Sequence, residues 1–480
     1  MDETSQPPDV LVSVSRRTGT SLGAQVEQQL RWAIRSGTLR PGVRLPSTRN
    51  LADQLGVSRR VTTSAYAQLA AEGYLVLRQG ARPAVAAIAA PSRRPVAEPS
   101  STTRPRFDFR PNKPDLSAFP RQDWARYLRA AALELPTPDL DYGDPRGLPR
   151  LRVALADYLG RVRGVVADPA RVVVTSGFAQ GRNLICAALA ASGARRIAVE
   201  DPSHPEQRAA LISAGLQIVA VPVDDEGIRV EQLWASGADA ALITPAHQFP
   251  TGAVLSGARR GALADWLRST GAIAIEDDYD AEYRYDRTPV GALQGIEPHR
   301  VIYAGSVSKT LAPALRIGWL VLPGALLNPV VTQKRLADLG SNQLEQHALA
   351  GFIASGQLDR HLRRMRATYR KRRDALIAAL AAELPKAQVR GIAAGLHAAV
   401  VLPGQTDEQT IAAEARRRGL TCDTLADYRL DSTGPPTLLL GYAQHPEPTI
   451  HAGIATLATA IHRDPASHGP AADPRPGLGS

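Results

Sequence analysis

The sequence predicts two folded parts of different class: a small N-terminal winged helix-turn-helix and a large α/β domain on a mostly parallel sheet. Charge distinguishes the two parts. Residues 1–106 contain 15 arginines, no lysine and 7 acidic residues, a formal charge of +8, whereas the rest of the chain carries only +3 of the total of +11. From about residue 144 onward, short apolar runs alternate with helix-like stretches, which is typical of a parallel sheet buried on both faces.

The composition excludes several classes of protein. No apolar run reaches the roughly 18–20 residues of a membrane helix, and the N-terminus lacks the basic and apolar regions of a signal peptide. Two remote cysteines, Cys186 and Cys422, make no disulfide framework. The histidines and cysteines show no metal-ligand spacing. We therefore expect a cytoplasmic protein with no membrane segment and no metal site.

Three short helices are predicted in the N-terminal part, each following a serine suited to cap its first turn and ending near a glycine. A short hairpin with a turn at Gly80 follows at residues 74–87. The predicted helices span 22–34, 48–55 and 59–72, with N-caps at Ser21, Ser47 and Ser58.

This order of elements is that of a winged helix-turn-helix, in which the third helix enters the major groove of DNA. Arginine suits guanine edges, and residues around the second helix commonly contact phosphates. Two alternatives stay open: a solvated basic surface, and a three-helix unit that binds protein. The residues predicted to contact DNA are Arg44, Ser47, Arg49, Ser58, Arg59, Arg60, Thr63, Gly80 and Arg82.

The large domain is predicted from its apolar runs, which fall at 171–175, 196–199, 216–221, 240–243, 272–275, 301–304 and 317–322. In parallel sheets, ligands bind beyond the carboxyl ends of the strands. The residues that follow these strands are therefore expected to share one site. They are Gly177, His204, His247, Asp277 and Lys309.

The run Gly-Ser-Val-Ser-Lys-Thr at 305–310, with Arg316 beyond it, offers what pyridoxal phosphate needs from a protein. Lys309 is placed to form a Schiff base with the aldehyde, and burial would favour its reactive neutral form. Ser306, Ser308 and Arg316 are suited to hold the phosphate. Asp277, at the end of a buried strand, is suited to keep the pyridine nitrogen protonated, which makes the ring an electron sink.

Several motifs identify a family. Residues 45–52, 55–59 and 65–75 resemble the GntR-type DNA-binding domain, although Val61-Thr62 and the wing at 80–83 depart from its usual pattern. The runs at 142–147, 244–252, 276–280 and 308–316 resemble those of fold-type I aminotransferases. Over about residues 19–465 the chain resembles MocR-type regulators, a subgroup of the GntR family that joins the two.

This resemblance implies roles for individual residues, all around pyridoxal phosphate. Lys309 would carry the cofactor, Asp277 would pair with the ring nitrogen, and Tyr279 would donate to the ring oxygen O3′. His204, where the family usually has tyrosine, would stack on the ring or else lie exposed in a turn. The remaining predicted cofactor contacts are Gly177, Phe178, Ala179 and Arg316 at the phosphate, Tyr142 at the phosphate of the partner subunit, and His247.

One departure bears on activity. Leu439 stands where aminotransferases place the arginine that binds the substrate carboxylate, so transamination is in doubt, unless Arg110 or Arg182 substitutes. We therefore expect a regulator that binds operator DNA, pyridoxal phosphate and a small amine or amino-acid effector, as a domain-swapped homodimer. Two rivals remain: an aminotransferase with an incidental N-terminal unit, and a regulator with a vestigial site.

The predicted organisation is a DNA-binding domain at 19–87, a linker at 88–106, the aminotransferase-like domain at 107–463 and a disordered tail at 464–480. The linker and the tail are assigned from composition, since both are rich in alanine and proline and lack periodicity. The basic run at 360–373 has a helical pattern. It predicts either a solvated helix face or a second DNA contact surface.

Overall fold

A computed structural model describes residues 12–87, 105–285, 290–404, 407–431 and 433–462. The chain divides into two units, Met1–Thr103 and Arg104–Ser480. The predicted tail and all but the last two residues of the predicted linker lie outside the described residues. The domain boundaries drawn from the sequence therefore stay a prediction.

The smaller unit has the predicted winged helix-turn-helix order. Its three helices pack around an apolar core that includes Val26, Leu30 and Leu45. The two strands pair antiparallel and form the wing hairpin. Its elements are α1 (Leu22–Arg35), α2 (Thr48–Leu55), α3 (Arg59–Ala71), β1 (Leu75–Val76) and β2 (Ala84–Val85).

The serines at the helix starts behave differently from one another. Ser21 accepts a hydrogen bond from the Ala24 amide, and Ser47 accepts one from the Asn50 amide, as N-caps do. Ser58 occupies the N-cap position of α3, but its side chain makes no capping hydrogen bond. The prediction that Ser58 is the N-cap residue of this helix is confirmed for its position, but its side chain does not accept from the first-turn amides.

The larger unit combines a central sheet with helices on its faces. Its strands are β3 (Phe107–Asp108), β4 (Val172–Thr175), β5 (Arg196–Asp201), β6 (Gln217–Asp224), β7 (Gly227–Ile228), β8 (Ala240–Ile243), β9 (Ile273–Asp277), β10 (Val301–Ser306), β11 (Gly318–Val321), β12 (Gln388–Arg390), β13 (His397–Val401), β14 (Leu420–Thr421), β15 (Asp423–Thr424) and β16 (Thr437–Gly441). Its α-helices are α4 (Arg121–Glu134), α5 (Pro149–Arg163), α6 (Phe178–Ala191), α7 (Pro205–Ser213), α8 (Val230–Ser236), α9 (Gly257–Thr270), α10 (Gly324–Asp338), α11 (Gln343–Ala354), α12 (Gln357–Glu383), α13 (Glu408–Arg417) and α14 (Glu447–His462).

The central sheet has eight strands in the order β4-β11-β10-β9-β8-β5-β6-β7. Pairing is parallel from β10 through β9, β8 and β5 to β6, whereas β11 and β7 run antiparallel to their neighbours. Strands such as β4, β8 and β11 are buried along their whole length, which explains their continuous apolar sequences. All seven strands predicted from the sequence are present.

A second, antiparallel sheet of order β12-β13-β16-β15 lies near the C-terminus of the unit, where α12 packs against α14. The basic run falls on α12 and is not simply a solvated face. Arg366 donates to the Glu282 carbonyl, and Arg372 pairs with Asp115 at 2.8 Å. These arginines therefore join α12 to the segments around it, although Arg363 and Lys371 stay exposed.

Candidate functional site

Three of the five residues predicted to follow strands, His204, Asp277 and Lys309, line one cavity of about 630 Å³ at the carboxyl ends of the parallel strands. Its walls come from the ends of β5, β9 and β10, the start of α6, and the segment at 111–116. The predicted site residues that line it are Phe178, Ala179, His204, Asp277, Tyr279, Ser306, Ser308, Lys309 and Arg316.

Lys309 lies in the wall of this cavity, just after β10. Its Nζ donates to the Asn112 carbonyl oxygen at 2.7 Å. Burial lowers the pKa of the Lys309 ammonium, while the carboxylates of Asp280 and Asp277 oppose that shift. A lysine held in this way is closer to its neutral, nucleophilic form than an exposed lysine is.

Asp277 is the last residue of β9, and its carboxyl faces the cavity. Its neighbours point elsewhere, as alternation along a strand requires: Glu276 accepts from the Leu293 and Gln294 amides, and Asp278 pairs with Arg163 at 2.7 Å. Within the described ranges, Asp277 accepts a hydrogen bond from Gln207 Nε2 at 3.2 Å. Burial raises the pKa of Asp277 to about 7, and the Gln207 hydrogen bond and the Arg182 guanidinium oppose this rise.

The state of Asp277 predicts a pH-dependent stability. The folded protein favours the protonated acid up to about pH 7, whereas the unfolded chain releases this proton near 3.8. The free energy of unfolding therefore falls as the pH rises between these values, because the unfolded state loses its proton first. We expect cofactor-free Asp277→Asn to match the wild type at about pH 4 and to melt several degrees higher at about pH 8. Thermal melts at both pH values test this, and equal melting temperatures at the higher pH would contradict it.

Gly177 and Arg316 form a compact cradle at the start of α6. Gly177 has a φ of 83°, and a Cβ there would lie 3.0 Å from the Arg316 guanidinium. Arg316 donates from Nη2 to the Ser176 carbonyl oxygen at 2.7 Å. A helix N-terminus beside a guanidinium group is suited to an anion such as a phosphate. Ser306 and Ser308 line the same cavity.

Tyr279 lines the cavity, but His247 lies behind it and does not. The Nδ1 of His247 is 3.0 Å from both the Tyr279 hydroxyl and the Asp280 carboxylate. His247 is buried, with its ring 5.4 Å from that of His397. His247 therefore lies close to the cavity, as its position after a strand predicts. It stands behind Tyr279, however, and supports that hydroxyl.

His204 is half-buried at the N-cap of α7, where its Nδ1 accepts from the Glu206 amide. Its ring stacks near Phe249, with centroids 5.8 Å apart. Leu439 is fully buried on β16 in a cluster with Phe249 and Tyr428, so it offers the cavity no charge. Neither of the arginines considered as a replacement, Arg110 and Arg182, lines the cavity.

Sequence reasoning missed other residues of the cavity wall. Asn112 lies between Pro111 and Pro114 and has a φ of 60°. Its carbonyl oxygen accepts the hydrogen bond from Lys309. Gln207 supports Asp277, and Arg208 brings a further guanidinium to the wall. The Pro-Asn-Lys-Pro run is a turn signal that could have drawn attention to Asn112, whereas nothing in the sequence distinguishes Arg208.

Tyr142 does not reach the cavity of its own chain. Its side chain is 68% exposed, and it borders a separate surface depression that also includes Leu140, Asp338 and residues 340–344. This position is compatible with the predicted contribution to a partner subunit.

The predicted DNA-contacting residues form an exposed basic surface on the smaller unit. Arg59, Arg60 and Thr63 are exposed on the first turns of α3, and Ser58 is exposed just before them. Arg44 and Arg49 are exposed around α2, whereas Ser47 is half-buried because it caps that helix. At the wing, Gly80 has a φ of 76°, as a tight turn requires, and Arg82 is exposed beside it.

The described residues show neither a membrane helix nor a metal cluster. None of the helices in these ranges is both long and apolar enough to cross a bilayer. In the same ranges, no group of three or more histidine, cysteine, aspartate or glutamate side chains is arranged to hold a metal ion.

Comparisons with known proteins match both units. Residues 22–85 match the family of bacterial regulatory proteins of the gntR type, and residues 117–447 match aminotransferase class I and II. Among solved structures, an archaeal alanine:glyoxylate aminotransferase is similar at 25% identity and a TM-score of 0.69, covering 76% of this chain and 92% of its own. A Pyrococcus horikoshii kynurenine aminotransferase is similar at 26% identity, with a TM-score of 0.69 and coverage of 75% and 91%. The predicted fold class is confirmed.

Relatives that span both units are regulators. The pyridoxine biosynthesis transcriptional regulator PdxR of Corynebacterium glutamicum is 32% identical, covering 94% of this chain and 99% of its own. The probable rhizopine catabolism regulatory protein MocR of Rhizobium meliloti is also 32% identical, covering 94% and 96%. The chain therefore belongs to the MocR-type group of GntR-family transcriptional regulators, which join a helix-turn-helix domain to an aminotransferase class I and II domain.

Proposed function

We propose that this transcriptional regulator binds pyridoxal phosphate in the cavity of its larger unit and uses that occupancy to control operator binding by its winged helix. One observation supports the proposal above the others. A lysine with a lowered pKa, a buried acid with a raised pKa and an anion cradle all lie at the same cavity. That combination matches the three functional groups of the cofactor: its aldehyde, its ring nitrogen and its phosphate.

The residues present fit this cofactor. Lys309 would take the aldehyde, Asp277 would hold a proton on the ring nitrogen, and Arg316 with the start of α6 would hold the phosphate. Tyr279, supported by His247, would donate a hydrogen bond to the ring oxygen. When bound, pyridoxal phosphate supplies an aldehyde that condenses with amines and a ring that withdraws electrons.

His204 and Phe249 would pack against the ring, since both side chains line the cavity and their rings stack near one another. Histidine covers less area than the tyrosine usual in the family, and burial lowers its pKa, which keeps the ring neutral and suited to stacking.

We further propose that the active species is a domain-swapped homodimer in which Tyr142 serves the partner's site. Tyr142 and Leu140 are exposed around one depression, and Leu336 and Leu339 are exposed in the segment beside it. Exposed apolar side chains grouped in this way are typical of a protein interface. A cytoplasmic location follows from the need to reach DNA, and the free thiols of Cys186 and Cys422 are compatible with it.

The effector is proposed to be pyridoxal phosphate, alone or with a small amine or amino acid. The named relatives act in pyridoxine biosynthesis and rhizopine catabolism, at equal identity to this chain. The comparison therefore favours no single pathway. A ligand shifts operator binding only if it binds two arrangements of the protein unequally.

The rival proposal is an active aminotransferase, and the burial of Leu439 argues against it. An aminotransferase must bind the substrate carboxylate, and the cavity receives no cation from β16, where that arginine would stand. Arg208 lines the cavity, but its Nη1 is already engaged by the Tyr428 carbonyl at 2.7 Å.

Mixing the cofactor-loaded protein with a panel of amino acids separates the two proposals. A regulator without a carboxylate-binding arginine is expected to keep its visible absorbance over many minutes, because no amino acid is held for efficient transfer of its amino group. Rapid bleaching, with recovery of pyridoxamine phosphate, would instead support the aminotransferase. A catalytic aminotransferase should also regenerate the colour when a keto acid is added.

A further inference from the structure

A partly buried polar network extends from the anion cradle to residues that do not line the cavity. It begins at Ser176, whose carbonyl oxygen accepts from Arg316 and whose amide donates to Gln180 Oε1 at 2.7 Å. The peptide groups on both sides of Ser176 are therefore hydrogen-bonded. The orientation of the turn at residues 176–178, which precedes and opens α6, depends on these two hydrogen bonds.

Gln180 extends the network to α10. Its Nε2 donates to Asp338 Oδ2 at 2.6 Å. Asp338 in turn accepts from Lys334 Nζ at 3.1 and 2.8 Å, and the same ammonium donates to Ser341 Oγ at 2.9 Å. The Lys334 side chain is fully buried. Both polar atoms of the Gln180 amide, both Asp338 oxygens and the Lys334 ammonium therefore have defined partners.

Stability alone does not account for the ion pair. Replacing a buried ion pair by apolar residues of similar volume is often neutral or stabilising, because the charges lose their hydration. The apolar residues around α10 and α6, such as Val330 and Leu326, already form a core into which an aliphatic side chain would fit. What the ion pair provides is a carboxylate at a fixed position, facing Gln180.

The same segment also supports Tyr142. Asp338 borders the depression that contains Tyr142, and Gln343 donates from Nε2 to the Tyr142 carbonyl oxygen at 3.4 Å. Gly340 lies so close that a Cβ there would be 2.7 Å from that carbonyl oxygen. Between them, Leu339 adopts a φ of 58°, a strained conformation for leucine that a well-defined segment must maintain.

We propose that Gln180, Asp338 and Lys334 are positioning residues that hold the phosphate-binding turn in register and connect it to the segment presenting Tyr142. None of the three borders the cavity. Their effect is therefore exerted on the cofactor's phosphate through Ser176 and Arg316. This inference rests on the proposed binding of pyridoxal phosphate, and it extends that proposal to residues outside the site.

The test compares two ligands that differ only in the phosphate. Pyridoxal phosphate and pyridoxal are titrated into the full-length wild type and into Gln180→Leu, and binding is followed by visible absorbance. We expect Gln180→Leu to weaken pyridoxal phosphate binding about tenfold, since a partly buried hydrogen bond is lost on each side of Gln180. Pyridoxal binding should be unchanged, because nothing in the cavity wall is altered.

A matched control is Gln409→Leu, which makes the same exchange at an exposed position on α13 and should change neither affinity. Gln180→Ala is measured in parallel in case leucine prevents folding, because the smaller side chain leaves room for water. The same selective loss of pyridoxal phosphate binding is expected. Equal losses for both ligands, or no loss for pyridoxal phosphate in either soluble variant, would overturn the network's role. If the wild type binds neither ligand, the proposed function itself fails.

Discussion

Replacing Lys309 with alanine is expected to abolish the visible absorbance that the wild type gains with pyridoxal phosphate, and to make operator affinity independent of the cofactor. In the described part of the chain the Lys309 amine donates to a backbone carbonyl, and burial lowers its pKa, so this amine is available to react. Lys113 also lines the cavity, but its Nζ is already held in an ion pair with Asp108 at 2.5 Å. The expected loss of covalent attachment is therefore complete. Absorbance titration and a DNA-binding assay on the same preparation measure both effects.

Lys371→Ala serves as the control, since Lys371 is exposed on α12 and away from the cavity wall. It should behave as the wild type does in both assays. If Lys309→Ala retained the coloured adduct, another amine would carry the cofactor. The assignment of the site to Lys309 would then be wrong, while the regulatory proposal could still be examined through the second amine.

Replacing Arg59 or Arg60 with alanine is expected to give the largest loss of operator binding within the smaller unit. Both side chains are exposed on the first turn of α3, the part of a recognition helix that contacts base edges. A bidentate contact from arginine to guanine contributes about 1–3 kcal/mol of discrimination. Each variant should therefore bind the operator about fivefold to 150-fold more weakly and distinguish it less well from unrelated DNA.

The contrast with other arginines makes this prediction specific. Arg44→Ala and Arg49→Ala should weaken binding to all sequences alike and reduce its salt dependence, as expected for phosphate contacts. Arg35→Ala removes the same charge from an exposed position on α1 and should have the smallest effect. An operator chosen from a random-sequence library provides the probe. Losses as large for Arg35→Ala as for Arg59→Ala would point to charge alone and contradict base recognition by α3.

The sequence predicts the central sheet and one edge of the site well, for a physical reason. Parallel strands buried on both faces must be continuously apolar, so their ends are visible in the sequence. Asp277 and Lys309 follow such ends and do line the cavity. Alternation along β9 then separates Asp277 from Glu276 and Asp278 without any coordinates.

What the sequence does not reveal is how distant segments and side-chain directions complete the wall. His247 also follows a strand, yet it lies behind Tyr279, because the end of a strand fixes a place on the sheet edge and not where the side chain points. Asn112 reaches the cavity from a run that signals only a turn, and Arg208 reaches it from a helix that carries no motif. The arginines of α12 bind carbonyls such as that of Glu282, which composition cannot distinguish from exposure to solvent.

Occupancy of the cavity is expected to change the affinity of the winged helix for operator DNA. The most direct test of this central claim is the operator affinity of the full-length wild type, measured with and without saturating pyridoxal phosphate at one fixed salt concentration. Allosteric coupling of ordinary size predicts a change of about fivefold or more, and Lys309→Ala should remove it. Identical affinities for the wild type under both conditions would contradict the claim.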